Sequence, residues 1–389
     1  MRARLGTMSH EPRIAVAYDW LQAWRGGETV LAAILRLYPR ADLFAVVDFL
    51  PDELRSRIGG KRARTTFVQK LPGARRYFRW MLPLFPRAIE SLDVSRYDIV
   101  ISISHAVAKG VRTRNDQLHI CYCNTPMRYA WDLRDQYLPR DGLGAGRKGR
   151  LAHRMLDRLR EWDRRTSDRV THFIANSAFV RERIARCYGR DADVIHPPVD
   201  TGFFTLPPAG TPRGGYYFAA SHWVPYKRLE VVVKAFALLA DRQLVVAGGG
   251  PEAGVARDGV PSNVRYEGEV TRERMRDLMR GADAFVFAAE EDFGIVPVEA
   301  QACGTPVIAF GRGGARETVR PVDGPRPTGV FFDEQTPESL ADAVRRFEAA
   351  RFNAADCRAQ AERFEGRAFD TAIAAYVAER WSAFRRSLS

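Results

Sequence analysis

The chain has 389 residues, 46% of them hydrophobic and 28% charged, with 60 Lys and Arg against 47 Asp and Glu and a formal net charge of +13. That length accommodates two domains with a core in each, and the mix of apolar and charged residues excludes a disordered or fibrous chain. No apolar run nears the roughly eighteen residues that span a bilayer. The start, Met1–Met8, carries basic residues but no apolar core, so a secretory signal is not expected. The five cysteines, Cys121, Cys123, Cys187, Cys303 and Cys357, are odd in number and scattered. Cys121 and Cys123 lack a second pair at metal-ligand spacing, so reduced structural thiols in a cytoplasmic protein are expected.

Along the chain, short apolar strands alternate with helical patterns, as in parallel sheets with helices on both faces. The first strand is predicted at Arg13–Tyr18 and leads into Asp19-Trp20-Leu21, then Trp24-Arg25-Gly26-Gly27-Glu28 at the start of a helix. Glycines there let backbone N–H groups approach a phosphate. Without the Gly-x-Gly-x-x-Gly pattern, the pair reads equally as a tight turn. A second strand is predicted at Asp42–Val47. From Asp52 to Arg87 ten Lys and Arg stand against two acids, interleaved with Phe67, Tyr77, Phe78, Trp80 and Phe85. A basic, aromatic-rich amphipathic segment suits an anionic membrane surface, and an ordinary solvated face is the plain alternative. Nucleic acid is a third partner that the charge permits, with no helix-turn-helix, zinc finger or RNP-like motif behind it.

Strands predicted at Ile99–Ser104, His119–Tyr122 and His172–Ala175 complete the first half, where His105 and His119 are expected to be structural. A second basic stretch, Arg140–Arg169, sets ten Lys and Arg against five acids. The double proline Pro197-Pro198 fits neither a central strand nor a helix, so a boundary is expected near residues 197–214. This gives an amino-terminal domain over 1–200, a second over 201–364 and a terminal helix over 365–389. Strands in the second half are predicted at Gly215–Ala220, Gln243–Ala247, Val264–Glu267, Ala284–Ala288, Pro306–Ala309 and Gly329–Phe332. Helices are predicted at Arg228–Ala240, Thr271–Arg280 and Pro337–Ala350.

The most telling stretch is Glu291-Asp292-Phe293-Gly294-Ile295-Val296-Pro297-Val298-Glu299. Gly294 and Pro297 argue against one continuous helix. A loop after the strand, then a helix with Pro297 at its first position, satisfies both. Glu291 would sit on the loop and Glu299 in the first helical turn, at the carboxyl end of a strand where such sheets bind ligands. The plain reading of Glu299 is that it complements the helix dipole.

With Ala302-Cys303-Gly304-Thr305-Pro306-Val307-Ile308 behind it, this stretch resembles the donor-site signature of family-4 retaining glycosyltransferases. The resemblance implies the GT-B architecture, an α/β arrangement of two doubly wound (Rossmann-like) domains facing a cleft, with the terminal helix crossing back to the first. It implies that Glu299 grips ribose hydroxyls and Glu291 sugar hydroxyls, with Phe293, Gly294, Ile295 and Val296 around the donor. Ser221-His222-Trp223-Val224-Pro225-Tyr226-Lys227 looks like the family segment whose Arg and Lys hold the diphosphate. Lys227 matches the lysine, and His222 stands where many relatives carry Arg. Gly26 and Gly27 resemble the family's cleft-facing loop, placing Asp19 and Trp20 on the acceptor side. Asn124, followed by Thr125-Pro126-Met127-Arg128, stands where relatives carry a sugar-contacting histidine, and Arg128 is assigned to the acceptor. Gly313-Gly314-Ala315-Arg316-Glu317 matches a family turn, and Ala247-Gly248-Gly249-Gly250-Pro251 reads as architectural.

The reading is a retaining hexosyltransferase closest to bacterial polysaccharide mannosyltransferases, which implies GDP-mannose and a lipid-linked or growing glycan acceptor. Its expected place is the cytoplasm, peripheral on the inner face of the membrane. No cofactor is expected, and no Asp-x-Asp at a strand end offers a metal site. Lys227, loop amides and helix dipoles would then neutralise the diphosphate, while the leaving phosphate oxygen helps to deprotonate the acceptor. A nucleotide-sugar 2-epimerase of the same architecture and a basic nucleic-acid-binding protein are the alternatives.

Overall fold

The computed structural model describes residues 11–24, 26–132, 134, 146–250 and 260–388. Met1–Met8, Arg25, Arg140 and Pro251, singled out above, lie outside them. The chain divides into two compact units. The first takes in Met1–Ala175, Val180–Asp193 and Ala372–Ser389, the second Asn176–Phe179 and Val194–Thr371. The second unit thus begins at Val194, ahead of the double proline, and also claims the short segment before Val180.

In the first unit, strands β1 (Ile14–Tyr18), β2 (Asp42–Ala45), β3 (Arg64–Thr65), β4 (Ile99–Ser104), β5 (Leu118–Cys123), β6 (His172–Ala175) and β7 (Ala192–Val194) form a sheet in the order β3-β2-β1-β4-β5-β6-β7. The strands β1, β4 and β5 are buried along their whole length. That is why they read as largely apolar runs, since parallel strands are covered on both faces. Two polar side chains inside that core pair with each other: Ser102 Oγ lies 2.8 Å from His119 Nε2, and His119 Nδ1 lies 3.1 Å from the Arg169 carbonyl oxygen. Burial holds the His119 pKa down to about 4, so His119 is structural as expected.

A second polar knot is a buried ion pair between Lys109 and Asp163 at 2.7 Å, both fully enclosed. Asp163 Oδ2 also accepts from Trp131 Nε1 and Tyr188 Oη, each at 2.8 Å. The knot ties the loop after β4 and the Asn124–Trp131 loop to the helices Gly146–Thr166 and Ala178–Tyr188.

The second unit has β8 (Tyr216–Ala220), β9 (Gln243–Ala247), β10 (Val264–Gly268), β11 (Ala284–Phe287), β12 (Val307–Phe310) and β13 (Gly329–Phe332), ordered β10-β9-β8-β11-β12-β13. Alternate residues feed two separate cores. Phe285 and Phe287 join the helices Arg272–Gly281 and Ile295–Ala302 on one face. Ala284 and Val286 join Leu229–Ala237 and Pro337–Glu348 on the other. The helix starts are set locally: Thr271 and Thr336 cap by accepting from Arg274 N–H and Ser339 N–H, and Pro337 occupies a first-turn position. The terminal helix Gly366–Leu388 belongs to the first unit from Ala372 onward, where Tyr376 Oη donates to Asp193 at 2.8 Å.

In both sheets the chain reverses its direction of travel between two adjacent strands, β1 and β4 in one, β8 and β11 in the other. Beyond the carboxyl ends of such a pair lies the crevice in which these sheets bind ligands.

Candidate active site

At the switch point of the second sheet, β8 runs into Ser221–Arg228 and β11 into Glu290–Gly294. Lys227 ends a short 3-10 turn, Pro225–Lys227, and its ammonium forms an ion pair with Glu291. The two side chains singled out for catalysis are therefore in direct contact, each about four-fifths buried. His222 is exposed on the same loop. The loop is shaped from β9: Gly248 has φ +125°, and a Cβ there would lie 1.9 Å from the Ser221 carbonyl oxygen. Only glycine allows that approach, which agrees with the architectural role expected of the Gly248–Gly250 run.

The helix after Glu291 begins two residues earlier than the sequence suggests, at Ile295 with Gly294 (φ +84°) before it. Pro297 is thus third in the helix, not first, and this is tolerated because the first four N–H groups have no partner within a helix. Glu299 consequently lies beyond the first turn, which corrects its expected position and removes the simple dipole explanation. Burial pushes its carboxyl up to about 7, against Arg272 and with Asp200 adding. Arg272 is itself paired with Asp200 at 2.8 Å.

Phe293 does not line a donor surface with its side chain. The ring is 3% exposed and packs with His196 and Phe364 in the core. Gly294 is also buried, while Ile295 and Val296 retain partial exposure. The Gly313-Gly314 turn clasps the backbone of this loop. Gly314 N–H donates to the Glu291 carbonyl oxygen at 2.9 Å, and a Cβ on Gly314 would lie 2.4 Å from Phe293 Cα. Behind the turn, Glu317 accepts from His196 Nε2 at 3.0 Å and from the N–H groups of Ala178 and Phe179 at 2.9 and 3.2 Å. Burial pushes its carboxyl up, but these hydrogen bonds more than offset that and hold it below the ordinary carboxylate range.

At the switch point of the first sheet, Asp19 follows β1 and is fully enclosed. One oxygen accepts from the N–H groups of His105 and Ala106 at 2.6 and 3.1 Å. The other accepts from Val107 and Ala108 at 2.5 and 2.6 Å. His105 Nδ1 adds a contact at 2.8 Å. Burial pushes the Asp19 carboxyl up, yet His105 and these donors outweigh it and hold it low. Asp19 is therefore not an acceptor contact, because both oxygens are committed to the loop after β4. Trp20 packs edge-on against His105, with ring centroids 4.6 Å apart, and against Phe78 and Phe85. Gly27 sits where a Cβ would lie 2.7 Å from Tyr18 Oη and 3.5 Å from Asn124 Nδ2, so these three residues converge. Gly26 opens the helix Gly26–Leu37 and is exposed, and Arg128 is partly exposed on the loop after β5.

The family model for glycosyl transferases group 1 matches residues 213–364, and the model for glycosyltransferase family 4 matches residues 24–203. The chain belongs to the GT-B glycosyltransferases. Among its relatives, a D-inositol 3-phosphate glycosyltransferase of Mycolicibacterium gilvum is 29% identical over 205 residues, covering 47% of this chain and 46% of the relative. One from Thermomonospora curvata is 32% identical over 209 residues, covering 44% and 48%. The chain thus spans about half the length of these relatives. Sucrose-phosphate synthase from Thermosynechococcus elongatus superposes with a TM-score of 0.70 at 18% identity, covering 95% of this chain and all of that one. HepE of Anabaena, solved with UDP and glucose, gives 0.66 at 17%, again covering 95% of this chain and all of that one. At that identity, the likeness is one of fold.

Within this GT-B chain His105, expected to be structural, holds its ring against Asp19 at the switch point of the first sheet. Its ring is about one-third exposed, unlike that of His119. The motif Asp19-Trp20 held a usable signal, since a buried acid at a strand end implies a partner. Among the described residues, no group of three or more His, Cys, Asp or Glu side chains is arranged to hold a metal ion, and no helix is long and apolar enough to cross a membrane.

Proposed function

We propose that this protein is a retaining glycosyltransferase that moves a hexose, mannose from GDP-mannose, to a lipid-linked or growing polysaccharide acceptor. The observation that carries the reading is the Lys227–Glu291 ion pair at the switch point of the second sheet, with Glu299 on the helix that follows. A leaving nucleoside diphosphate gains negative charge as its bond to the sugar breaks. A fixed ammonium, aided by the unpaired N–H groups that open the helix Ile295–Ala302, stabilises that charge most in the transition state. Glu291 accepts hydrogen bonds from the sugar hydroxyls and Glu299 from the ribose, each a charge-assisted contact. The relatives fit this reading, since the one from Mycolicibacterium gilvum is named a D-inositol 3-phosphate glycosyltransferase. The choice of mannose and guanine rests on the motif resemblance.

The lipid-linked acceptor and the peripheral membrane location draw support from the surface of the segment Phe67–Arg87. Trp80 is 84% exposed, Phe67 and Tyr77 also face outward, and Lys70, Arg75, Arg76 and Arg79 are exposed among them. The inward residues Phe78 and Phe85 pack on Trp20. The segment is built from short turns, not one amphipathic helix.

The test is a thermal-shift screen of GDP, UDP and ADP, followed by measurement of nucleoside diphosphate released from the matching nucleotide sugars. A ligand at 100 times its dissociation constant adds about 2.7 kcal/mol of stability. GDP should shift the transition most, and Glu291→Gln should cut release from GDP-mannose about 10- to 150-fold, the loss of one charged hydrogen bond. A folded Glu291→Gln protein with unchanged release refutes the site. Conversion of a UDP-sugar without any acceptor would favour the epimerase, and salt-dependent binding to random DNA with no nucleotide-sugar turnover would favour a nucleic-acid-binding protein.

A further inference from the structure

We propose that a cavity at the amino ends of β1 and β2 is a binding site for a neutral oligosaccharide, a stretch of the growing glycan held at the end of the first sheet opposite its switch point. The inference rests on the glycosyltransferase reading above and adds a site that lies wholly within the first unit. Parallel sheets bind their ligands beyond the carboxyl ends of the strands, so the fold itself asks for no cavity at the other end. One is present, with a volume of about 660 Å³. Its lining includes Ile14 at the start of β1, Asp42 at the start of β2, and Arg96 and Tyr97 ahead of β4. Tyr38 and Arg40 join them from the turn between the helix Gly26–Leu37 and β2. That volume lies in the range of small-molecule sites.

The class of ligand follows from the charges. Each guanidinium in the lining already faces a carboxylate. Arg40 meets Glu11 at 2.7 Å and Arg96 meets Asp42 at 3.2 Å. Arg13 Nε lies 3.9 Å from Asp98 Oδ2, to which the Arg13 backbone N–H donates at 2.7 Å. Asp42 also accepts from the Tyr97 hydroxyl, and Arg64 stands 3.4 Å from it. A phosphate or a free cation would have to break one of these pairs to enter. A neutral polyol need not, because each of its hydroxyls can donate to a carboxylate and accept from a guanidinium, both charge-assisted contacts. Arg40 and Glu11 are the most open of these pairs, their side chains 86% and 74% exposed, so a ligand can reach both. Half-buried Tyr38 supplies an apolar ring on which the C–H groups of a sugar can pack. Burial pushes its hydroxyl up to about 12, so that hydroxyl remains a neutral donor and acceptor near neutral pH.

The experiment titrates the full chain with neutral hexasaccharides of mannan, glucan and galactan by calorimetry, with inorganic phosphate as the anionic competitor. At least one hexasaccharide should bind, and phosphate should not displace it. Arg40→Ala removes an exposed ion pair that contributes little to the fold. It should weaken that binding about tenfold, the loss of one charge-assisted hydrogen bond. Tyr38→Ala should weaken it at least as much; if that variant fails to fold, Arg40→Ala decides alone. Saturation with the sugar should also slow amide hydrogen exchange over residues 37–42. In turnover, both variants should raise KM for a hexasaccharide acceptor while GDP binding and transfer to octyl α-mannoside stay unchanged. Failure of every hexasaccharide to bind, equal binding by wild type and Arg40→Ala, or displacement of the sugar by phosphate overturns the proposal. A wild-type protein that binds a hexasaccharide through Arg40 yet neither binds nor turns over any nucleotide sugar overturns the glycosyltransferase reading instead.

Discussion

At the scale of single residues, the Glu299 carboxyl sets a pH dependence with a definite sign. Its pKa is raised from 4.5 to about 7, so near neutrality half of it is protonated. In the proposed role, a protonated Glu299 no longer serves the ribose hydroxyls as a charged acceptor. Affinity for a nucleotide sugar, which has no terminal phosphate titrating in this range, should therefore rise with pH and level off about one unit above 7. Near pH 6 it should be about tenfold weaker. Calorimetric titration from pH 6 to 8.5 measures this, and Glu299→Gln should flatten the curve. The same shift makes the fold itself less stable as pH rises from 4.5 through 7, because the folded state prefers the protonated form. At Lys227 the discriminating measurement is ligand size. Lys227→Ala should weaken nucleoside diphosphate binding more than monophosphate binding, and equal losses would remove the ammonium from the phosphate site. Both residues stand out in the sequence because each lies inside one short motif. The contact of His105 with Asp19, 86 positions away, was not legible, because only the adjacency of β1 and β4 joins them. Phe293 misled for the opposite reason: membership of a motif does not say which way a side chain faces.

At the scale of elements, the turn at Gly313-Gly314 is what holds the Glu291 loop in place. Gly314→Ala would put a carbon 2.4 Å from both Phe293 Cα and its carbonyl oxygen, so the loop backbone must move. Overpacking of this kind costs about 1–3 kcal/mol. Turnover should fall at least tenfold, along with a lower melting temperature. Gly324→Ala, whose added carbon meets nothing nearer than the Pro321 carbonyl oxygen at 3.4 Å, should match wild type in both assays. The long buried strands were legible because apolar runs of that length between turn residues have few other uses. The strands Arg64–Thr65 and Ala192–Val194 were not, since two and three residues at a sheet edge carry no periodicity. The start of the helix Ile295–Ala302 was misplaced because proline is accepted through the whole first turn and therefore marks a region, not a residue.

At the scale of the whole molecule, the net charge of +13 matters through where it is displayed. Exposed Arg75, Arg76 and Arg79 surround Trp80, and each basic group near an anionic surface contributes about 1 kcal/mol. The protein should co-sediment with anionic vesicles at low salt and be released at high salt, since such charges are screened beyond about 10 Å at 0.1 M. A variant carrying Arg75→Glu, Arg76→Glu and Arg79→Glu should stay in the supernatant; equal sedimentation of both proteins would leave the segment a solvated face. The division into two Rossmann-like halves was legible from the recurrence of strand and helix. The return of Asn176–Phe179 to the second unit was not, because Glu317, on which Ala178 and Phe179 depend, lies 139 and 138 positions further on.

The Lys109–Asp163 knot also constrains how this sequence can drift. Loss of either partner strands a charge in the interior, at a cost of about 3–5 kcal/mol, a large part of what holds an ordinary domain folded. Joint replacement by apolar residues of similar volume can be neutral or stabilising. The two positions are therefore separated from their apolar alternative by a valley that single mutations do not cross. Descendants of this gene should carry both charges or neither.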